Sequence, residues 1–236
     1  MDVQSKVVVI TGASMGIGAA TASAFAGAGA KLVLASRSTD RLAAVADRLP
    51  EGAEVLIVPT DMTDQAQVQA LIDKAHEQFG QIDILINNAG QTVVGPVETV
   101  TPHNYHQIIE VNIFGPLHAM QAVVPRMRAQ GGGLIINISS SVSKMAIPGI
   151  GAYASTKYAL NGLSLTARNE LEKDNIRVVL FHPGMTDTEF GNNATVEDPD
   201  YIPTPAPGQQ PDTPEEVAQK ILEAAASEPA EMEMPT

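Results

Sequence analysis

Two residues that lie four apart, Tyr153 and Lys157 in the stretch YASTK, are candidates for proton transfer. At this spacing on a helix their side chains share one face, with Cβ atoms about 5–6 Å apart. A tyrosine phenol ordinarily has a pKa of about 10, and a nearby cation favours its ionised form. Lowering that pKa to about 7 needs about 4 kcal/mol, which a desolvated lysine and a second positive charge can supply together. Taken alone, the pair is better explained as two ordinary residues on a solvated helix.

Three consecutive serines suggest a partner for this pair. Ser139, Ser140 and Ser141 follow the predicted strand Leu134–Ile138, at the carboxyl edge where open α/β sheets bind ligands. A serine hydroxyl at that edge can donate a hydrogen bond to a substrate carbonyl. The alternative for any one of them is ordinary turn chemistry.

Asn112 lies within a mostly apolar helical stretch, where asparagine is unfavourable without a specific role. It either binds a water that links Lys157 to solvent, or it caps a kink near Gly115 and Pro116. The sequence leaves both explanations open.

Three glycines separate the first predicted strand from the first predicted helix, with the spacing Gly-x3-Gly-x-Gly. Gly12, Gly16 and Gly18 permit a tight turn and let the backbone approach a pyrophosphate. The helix N-terminus adds unpaired N–H groups and a partial positive charge. A tight turn without a ligand is the alternative, but the strand–turn–helix context favours phosphate binding.

The end of the second predicted strand bears on the choice of dinucleotide. Strands that bind NAD usually end in an acidic residue that holds the ribose 2′-hydroxyl. Here Ser36 takes that place and Arg37 follows it. A guanidinium without a carboxylate favours a 2′-phosphate, and therefore NADPH, over a merely solvated surface arginine.

Two more polar segments follow strand ends. The carboxylate of Asp61 either accepts a hydrogen bond from an adenine amino group, or Thr60 or Asp61 caps the next helix. The small residues of Asn87–Gly90 let the chain pass close to a cofactor, or they form a structural turn.

Short β-branched runs alternate with helical stretches along the chain. Near-continuous apolar strands are typical of a parallel sheet covered on both faces, and the alternation predicts right-handed βαβ crossovers. We therefore predict an α/β fold: one domain over residues 1–236, with a doubly wound, Rossmann-type parallel sheet flanked by helices. The predicted strands are Val7–Ile10, Lys31–Ala35, Glu54–Val58, Ile82–Ile86, Leu134–Ile138 and Ile176–Phe181, and the predicted helices are Gly16–Ala28, Asp40–Leu49, Asp64–Phe79, Asn104–Ala129, Ala152–Asp174 and Pro214–Ala226.

A proline-rich segment, Met185–Asp212, interrupts this alternation. Prolines at such density cannot continue a long helix or a central strand. A loop of this length is usually functional, so we predict a substrate lid at about residues 185–212. The tail EMEMPT alternates enough for a short edge strand.

Composition narrows the class of protein. The chain has 236 residues, a formal net charge of −13 and no cysteine. The acidic balance argues against nucleic acid and anionic membranes as partners, and the missing thiols exclude disulfides and Cys-ligated metal. Without a signal-peptide pattern or a long apolar run, a cytoplasmic enzyme is expected.

Taken together, these residues resemble the short-chain dehydrogenase/reductase family in its shorter, single-domain form. The resemblance covers nearly the whole chain, in order. It rests on TGASMGIG (11–18), DMTD (61–64), NNAG (87–90), Asn112, NISSS (137–141), YASTK (153–157) and HPGMTDT (182–188).

The resemblance assigns roles to four catalytic residues. Tyr153 is the proton donor or acceptor, and Ser140, 13 residues before it, polarises the carbonyl. Lys157 lowers the pKa of the tyrosine and contacts the nicotinamide ribose, while Asn112 supports the proton relay.

The family also implies a dinucleotide site and no metal. Asn88 would brace the cleft, Asp61 and Met62 would flank the adenine, and Thr186 with Thr188 would hold the carboxamide. Relatives that prefer NADPH often carry a basic residue where this chain has Met15, so Arg37 alone supports NADPH here. The implied cofactor-binding residues are Gly12, Ser14, Met15, Gly16, Ile17, Gly18, Ser36, Arg37, Asp61, Met62, Asn88, Ala89, Gly90, Tyr153, Lys157, Pro183, Gly184, Thr186 and Thr188.

The resemblance therefore implies an NADP(H)-dependent oxidoreductase that interconverts a ketone or aldehyde and an alcohol, with NAD(H) as the alternative cofactor. Other readings are a 3-oxoacyl-thioester reductase, which the −13 charge disfavours, and a non-catalytic NADP(H)-binding sensor or scaffold. A homodimer or homotetramer is expected. Lys144 and His182 could face an anionic substrate, but the predicted pocket walls are apolar and favour an uncharged one: Val93, Val94, Val142, Met145, Ile147, Ile150, Phe190 and Tyr201.

Overall fold

A sheet of seven parallel strands forms the centre of the protein. The computed structural model describes residues 2–201 and 210–234. The strands of the main sheet lie in the order β3-β2-β1-β4-β6-β7-β9, and β5 and β8 pair separately. Their bounds are β1 Val7–Thr11, β2 Lys31–Ser36, β3 Val55–Pro59, β4 Ile84–Asn87, β5 Val93–Val94, β6 Gly133–Ile138, β7 Ile176–His182, β8 Thr195–Val196 and β9 Glu231–Glu233.

Helices cover both faces of the sheet. Their side chains and the two faces of each strand form two apolar clusters, one packed under α1, α2 and α7 and the other under α3 and α5. In β1, for example, Val8 and Ile10 belong to the first cluster, whereas Val7 and Val9 belong to the second. This is why the strands are continuous apolar runs. The helices are α1 Gly16–Gly27, α2 Thr39–Ala46, α3 Gln65–Phe79, α4 Pro102–Ile109, α5 Gly115–Ala129, α6 Gly151–Leu171 and α7 Pro214–Ser227.

The strand order creates one crevice at the carboxyl edge of the sheet. The chain builds outward from β1 to β2 and β3, then returns to place β4 on the other side of β1. At such a switch point the loops after adjacent strands diverge and leave space for a ligand. The turn after β1 and the segment after β4 border this space, so the fold brings the glycine turn and the NNAG segment together.

The predicted fold class is confirmed, and so are the predicted strands, whose ends differ by at most two residues. The predicted helix Asn104–Ala129 is instead two helices, because a π-helical turn over Glu110–Phe114 interrupts it. The short edge strand predicted in the tail is present as β9, which pairs with β7. Sequence periodicity missed β5 and β8, since two-residue strands carry no recognisable pattern.

The segment predicted as a lid is tied to the body of the protein at several points. Strand β8 pairs with β5, and Glu197 accepts hydrogen bonds from Thr101 and Asn104 at the start of α4. The two ends of the segment also meet, since Thr186 pairs with Asp212 in an isolated bridge. Residues 202–209 of the predicted lid lie outside the described residues.

No helix within the described ranges has the length and apolar character needed to cross a membrane.

Candidate active site

Helix α6 carries both members of the Tyr–Lys pair and is fixed against the end of β6. The Lys157 Nζ donates to the carbonyl oxygen of Ile138 at 2.9 Å, and only 4% of the residue is exposed. The same Nζ lies 5.8 Å from the centre of the Tyr153 ring. Lys157 is therefore buried and Tyr153 is half-buried, which argues against the explanation that these are ordinary residues on a solvated helix.

Ser140 lies just beyond β6, where the chain leaves the sheet to form a single 3-10 turn over Ser141–Lys144. Its hydroxyl oxygen accepts a hydrogen bond from the Val142 N–H at 3.3 Å. It also interacts with the hydroxyl of Tyr153. The structure thus brings a phenol, a serine hydroxyl and a buried lysine to one place at the carboxyl edge.

Burial dominates the electrostatics of this site. Desolvation raises the pKa of Tyr153 to about 12, and the hydrogen bond with Ser140 opposes this only in part. Desolvation likewise lowers the pKa of Lys157 to about 8. Each shift favours the neutral form of the group. In the protein by itself the pKa of Tyr153 is therefore raised by desolvation. That Lys157, together with the charge of a bound nicotinamide, lowers this pKa stays a prediction.

Phe190, in the predicted lid segment, covers the tyrosine. The two ring centroids lie 5.8 Å apart with an interplanar angle of 55°, a tilted aromatic contact. A Cβ atom placed on Gly90 would lie 3.8 Å from Phe190 and 3.7 Å from the Lys157 Nζ. Phe190 thus contributes to the desolvation of Tyr153 while leaving 37% of itself exposed.

Asn112 is fully buried in the π-helical turn that precedes α5. Its side-chain oxygen accepts from the Gln91 N–H at 2.8 Å, and its amide donates to the Gln91 carbonyl at 2.8 Å and to Thr156 Oγ1 at 3.0 Å. The helix is irregular at this point, as the kink explanation expected. The Asn112 side chain, however, does not cap the kink: it joins the segment after β4 to α6. No described hydrogen bond joins it to Lys157.

The glycine turn after β1 has the shape of a backbone cradle. Gly12 has a φ of +66°, and a Cβ atom there would lie 2.8 Å from Ala89 Cα. A Cβ atom on Gly18 would lie 2.2 Å from the Gly12 carbonyl oxygen. The Asn88 amide donates to the carbonyls of Thr11 and Gly12, at 2.9 and 3.2 Å, and so fastens β4 to the turn. Helix α1 begins after Met15 without a side-chain cap and without an acidic residue in its first turn. These features fit the diphosphate of a dinucleotide.

The polar end of β2 borders the same turn. Arg37 is exposed, and the Ser36 hydroxyl accepts from the Ser38 N–H at 3.3 Å. Sequence reasoning missed Arg41, whose Nη1 lies 4.0 Å from the sulfur of Met15 at the start of α1. A second arginine four residues after Arg37, in the first turn of α2, was the available signal.

Asp61 does not cap the following helix, and neither does Thr60. The cap of α3 is Asp64, whose carboxylate accepts from the N–H groups of Ala66 and Gln67. One carboxylate oxygen of Asp61 accepts from the N–H and hydroxyl of Thr63, which forms a local turn. Its position after β3 at the carboxyl edge leaves the adenine contact as a prediction.

The segment from Pro183 to Thr188 passes over the glycine turn. A Cβ atom on Gly16 would lie 3.2 Å from the side chain of Thr188, and the Thr186 hydroxyl donates to the Gly184 carbonyl at 3.2 Å. Residues predicted to hold the nicotinamide end are thus next to the phosphate turn. Of the other predicted cofactor residues, Ser14 lies in the glycine turn, Ile17 in the first turn of α1, Met62 after β3, and Ala89 after β4.

Several predicted substrate contacts lie elsewhere. His182 is buried and pairs with Glu231, and Lys144 pairs with Glu231 and Glu233, so both side chains are engaged by carboxylates of β9. Met145 and Ile147 line a groove of about 450 Å³ with Tyr158, whose lining includes neither Tyr153 nor Ser140. A larger groove of about 880 Å³ lies between α5 and α6, also away from the Tyr–Ser pair. Val93, Val94 and Ile150 are buried.

Comparison with known proteins supports the geometric description. The model of the short chain dehydrogenase family matches residues 6–198. An uncharacterized oxidoreductase of Staphylococcus saprophyticus is 40% identical over 199 residues, which cover 84% of this chain and 80% of that protein. A solved short-chain dehydrogenase/reductase from Burkholderia phymatum in complex with NAD has a TM-score of 0.89 and 30% identity, covering 99% of this chain and 90% of its own. An alcohol dehydrogenase from Thermococcus sibiricus complexed with 5-hydroxy-NADP has a TM-score of 0.84 and 33% identity, covering 97% and 95%.

The tightness of the glycine turn generates a first prediction. Gly18→Ala places a Cβ atom against the Gly12 carbonyl and the Asn88 amide, so the cradle must open. We expect the affinity for NADPH, measured by fluorescence titration, to fall at least about tenfold. The matched control is Gly27→Ala on the same helix, where nothing lies within 4 Å of the added Cβ atom. Equal affinities for the two variants would contradict the cradle.

The cover over the tyrosine generates a second prediction. Phe190→Ala admits water to Tyr153, so the pKa of Tyr153 should fall from about 12 towards its ordinary value of 10.0. Phenolate absorbance after a stopped-flow pH jump measures this before alkaline unfolding, with Tyr153→Phe as the baseline for the other tyrosines. Phe190→Leu keeps an apolar cover and should stay close to wild type. An unchanged pKa in Phe190→Ala would show that other residues bury the phenol.

Proposed function

We propose that this chain, which belongs to the short-chain dehydrogenase/reductase family and is an oxidoreductase of that family, is an NADP(H)-dependent enzyme that interconverts a ketone or aldehyde and an alcohol. The observation that carries the proposal is the buried Lys157, whose Nζ donates to the Ile138 carbonyl two residues before Ser140 and lies 5.8 Å from the centre of the Tyr153 ring. A protein that only bound the dinucleotide would have no need of this arrangement.

The proposed chemistry follows from the state in which burial holds the groups. With its pKa raised to about 12, Tyr153 keeps its proton at neutral pH, so the protonated form that can donate is the populated one, although burial makes it a weaker acid. In carbonyl reduction it donates its proton to the carbonyl oxygen, to which the Ser140 hydroxyl also donates a hydrogen bond. Lys157, cationic below a pKa of about 8, stabilises the phenolate that remains. The reverse proton transfer serves alcohol oxidation.

A nicotinamide dinucleotide supplies or accepts the hydride when bound. The glycine turn with Asn88 would hold its diphosphate, and the residues after β3 and β4 would border its adenosine. The segment around Thr186 and Thr188 would hold the nicotinamide end. Asn112 would keep the segment after β4 in place through its paired hydrogen bonds with Gln91.

The preference for NADPH rests on this chain's own residues. One solved relative is in complex with NAD and another with 5-hydroxy-NADP, so relatives alone do not decide the matter. Ser36 leaves the end of β2 without a carboxylate, Arg37 is exposed beside it, and Arg41 approaches the glycine turn. The Arg41 guanidinium lies 4.0 Å from a carboxylate oxygen of Glu189, so the argument for a 2′-phosphate rests mainly on Arg37.

An uncharged, apolar carbonyl compound is the proposed substrate class. Phe190 covers the tyrosine and Val93 and Val94 lie in the adjoining small sheet. The two side chains considered for an anionic substrate, Lys144 and His182, are both paired with carboxylates on β9. A homodimer or homotetramer remains part of the proposal, and sedimentation velocity tests it.

The direct test of the function is the Tyr153→Phe variant, assayed by NADPH oxidation with ketones, aldehydes and 3-oxoacyl thioesters. Removing the phenolic proton should lower kcat at least about 100-fold with little change in the Kd for NADPH. A near-normal rate in the variant would overturn the assignment. Stoichiometric NADPH binding by the wild type without turnover of any compound would favour a sensor or scaffold.

The cofactor preference has its own test. Arg37→Asp replaces attraction for a 2′-phosphate with repulsion, so the ratio of kcat/KM for NADPH to that for NADH should fall about 100-fold, or about 2.7 kcal/mol. Arg48→Asp makes the same change of charge beyond the far end of α2 and should leave the ratio nearly unchanged. A ratio that moves equally in both variants would assign the effect to net charge alone.

A further inference from the structure

His182 is a buried, polar residue for which the proposed chemistry has no use. His182 is the last residue of β7 and lies beside the edge strand β9. Its side chain has no exposed surface. A buried imidazole needs partners for both ring nitrogens, because an unpaired one costs free energy. Those partners lie on opposite sides of the ring, and one side is the turn that carries Ser140.

On the first side, the Nδ1 atom faces the turn. It lies 3.2 Å from the Ser140 carbonyl oxygen and 3.3 Å from Ser143 Oγ. The Ser143 hydroxyl donates to that same carbonyl at 2.6 Å, so its proton is already committed. Asn161, one helical turn after Lys157 on α6, donates to Ser143 Oγ at 3.0 Å. The carbonyl of Ser140 is thus held from β7 and, through Ser143, from α6.

On the second side, the Nε2 atom lies 3.1 Å from a carboxylate oxygen of Glu231 on the edge strand β9. A carboxylate only accepts, and so does the Ser140 carbonyl on the other side. Because the Ser140 carbonyl only accepts, the contact on that side requires an N–H at Nδ1. The charged groups around it are Glu231 and Glu233 on β9 and Lys144 on the 3-10 turn, which pairs with both carboxylates. The hydrogen bond between Lys144 and Glu233 lowers the pKa of Glu233 and raises the pKa of Lys144, so both groups remain charged.

We propose that His182 is a positioning residue for the reaction: it connects Glu231 on β9 to the Ser140 carbonyl and so fixes the serine at its distance from Tyr153. The proposal rests on the proposed function for its kinetic consequence. The N–H groups on both sides of Ser140 are already tied to β7, since Ser139 N donates to the Phe181 carbonyl at 2.7 Å and Ser141 N to the Pro183 carbonyl at 2.9 Å. These two backbone hydrogen bonds do not involve the Ser140 carbonyl, which is instead contacted by His182 and by the 3-10 turn.

A matched pair of substitutions isolates the hydrogen bond. The amide of His182→Asn can donate from about the position of Nδ1, whereas His182→Leu has a similar volume and no donor. We expect His182→Leu to lower kcat at least about tenfold, with KM and the Kd for NADPH changed less than about twofold, and His182→Asn to retain kcat within about threefold. Equal kcat values for the two variants would overturn the proposal.

A double-mutant cycle separates positioning from general damage. If His182 acts through Ser140, then His182→Leu should have less than about a twofold effect on kcat in a Ser140→Ala background. A full effect in that background would show that the histidine acts elsewhere and would overturn the proposal.

The edge strand supplies a second matched pair. Glu231→Ala and Glu233→Ala each remove one carboxylate and one ion pair with Lys144. Glu233 is the ladder partner of His182, but the side-chain hydrogen bond with the ring comes from Glu231. We expect Glu231→Ala to lower kcat several-fold and Glu233→Ala to leave it close to wild type. Equal losses would assign the effect to Lys144 and contradict the role of His182.

Hydrogen exchange keeps this proposal separable from the proposed function, because it needs no turnover. The N–H groups of Val142 and Ser143 both donate to Ser140. Their exchange should be at least about tenfold faster in His182→Leu than in His182→Asn. If exchange is faster in His182→Leu but the wild type reduces no carbonyl compound, the proposed function is wrong and the link between His182 and the turn stands. Equal exchange with normal turnover would remove the link and keep the function.

Discussion

One hydrogen bond between a helix and a strand end sets the geometry of the candidate site: the Lys157 Nζ donates to the Ile138 carbonyl at 2.9 Å. Because Ser140 follows Ile138 by two residues and Tyr153 precedes Lys157 by one helical turn, this contact places the phenol at the serine. It also buries the lysine, and burial moves both pKa values towards the neutral forms, to about 12 for Tyr153 and about 8 for Lys157. Bringing the pKa of the phenol from about 12 to about 7 corresponds to about 7 kcal/mol, so the resting protein holds this proton firmly and the phenolate must be stabilised during the reaction.

A second constraint is that one segment of the chain contacts both halves of the site. Thr188 lies against Gly16 of the phosphate turn, and Phe190 lies against the ring of Tyr153. Asn193 donates to the sulfur of Met15, also at the phosphate turn. Residues 188–193 therefore border both the phosphate turn and the tyrosine. The desolvation that sets the acid therefore depends on the same residues that border the dinucleotide crevice.

Local patterns predicted the fold and the identity of the catalytic candidates, but not their electrostatic state. Apolar runs and glycine spacing are local, so the strands and the phosphate turn could be found without a structure. The pKa of Tyr153 depends on its burial, to which Phe190 contributes from another part of the chain, and the spacing of YASTK says nothing of that contact. His182 is similar, because its partner Glu231 comes from an edge strand distant in sequence. At Asp61 the miss was local: two nearby aspartates can cap α3, and the structure uses Asp64.

The pH dependence of kcat/KM for carbonyl reduction tests the central claim, the coupling of a buried lysine to the tyrosine, most directly. This parameter reports groups of the free enzyme. It should fall as pH rises through about 8, where Lys157 loses the charge that stabilises the developing phenolate. In Lys157→Arg, whose guanidinium keeps its charge, that decline should disappear from the measured range. The same decline near pH 8 in both proteins would contradict the account.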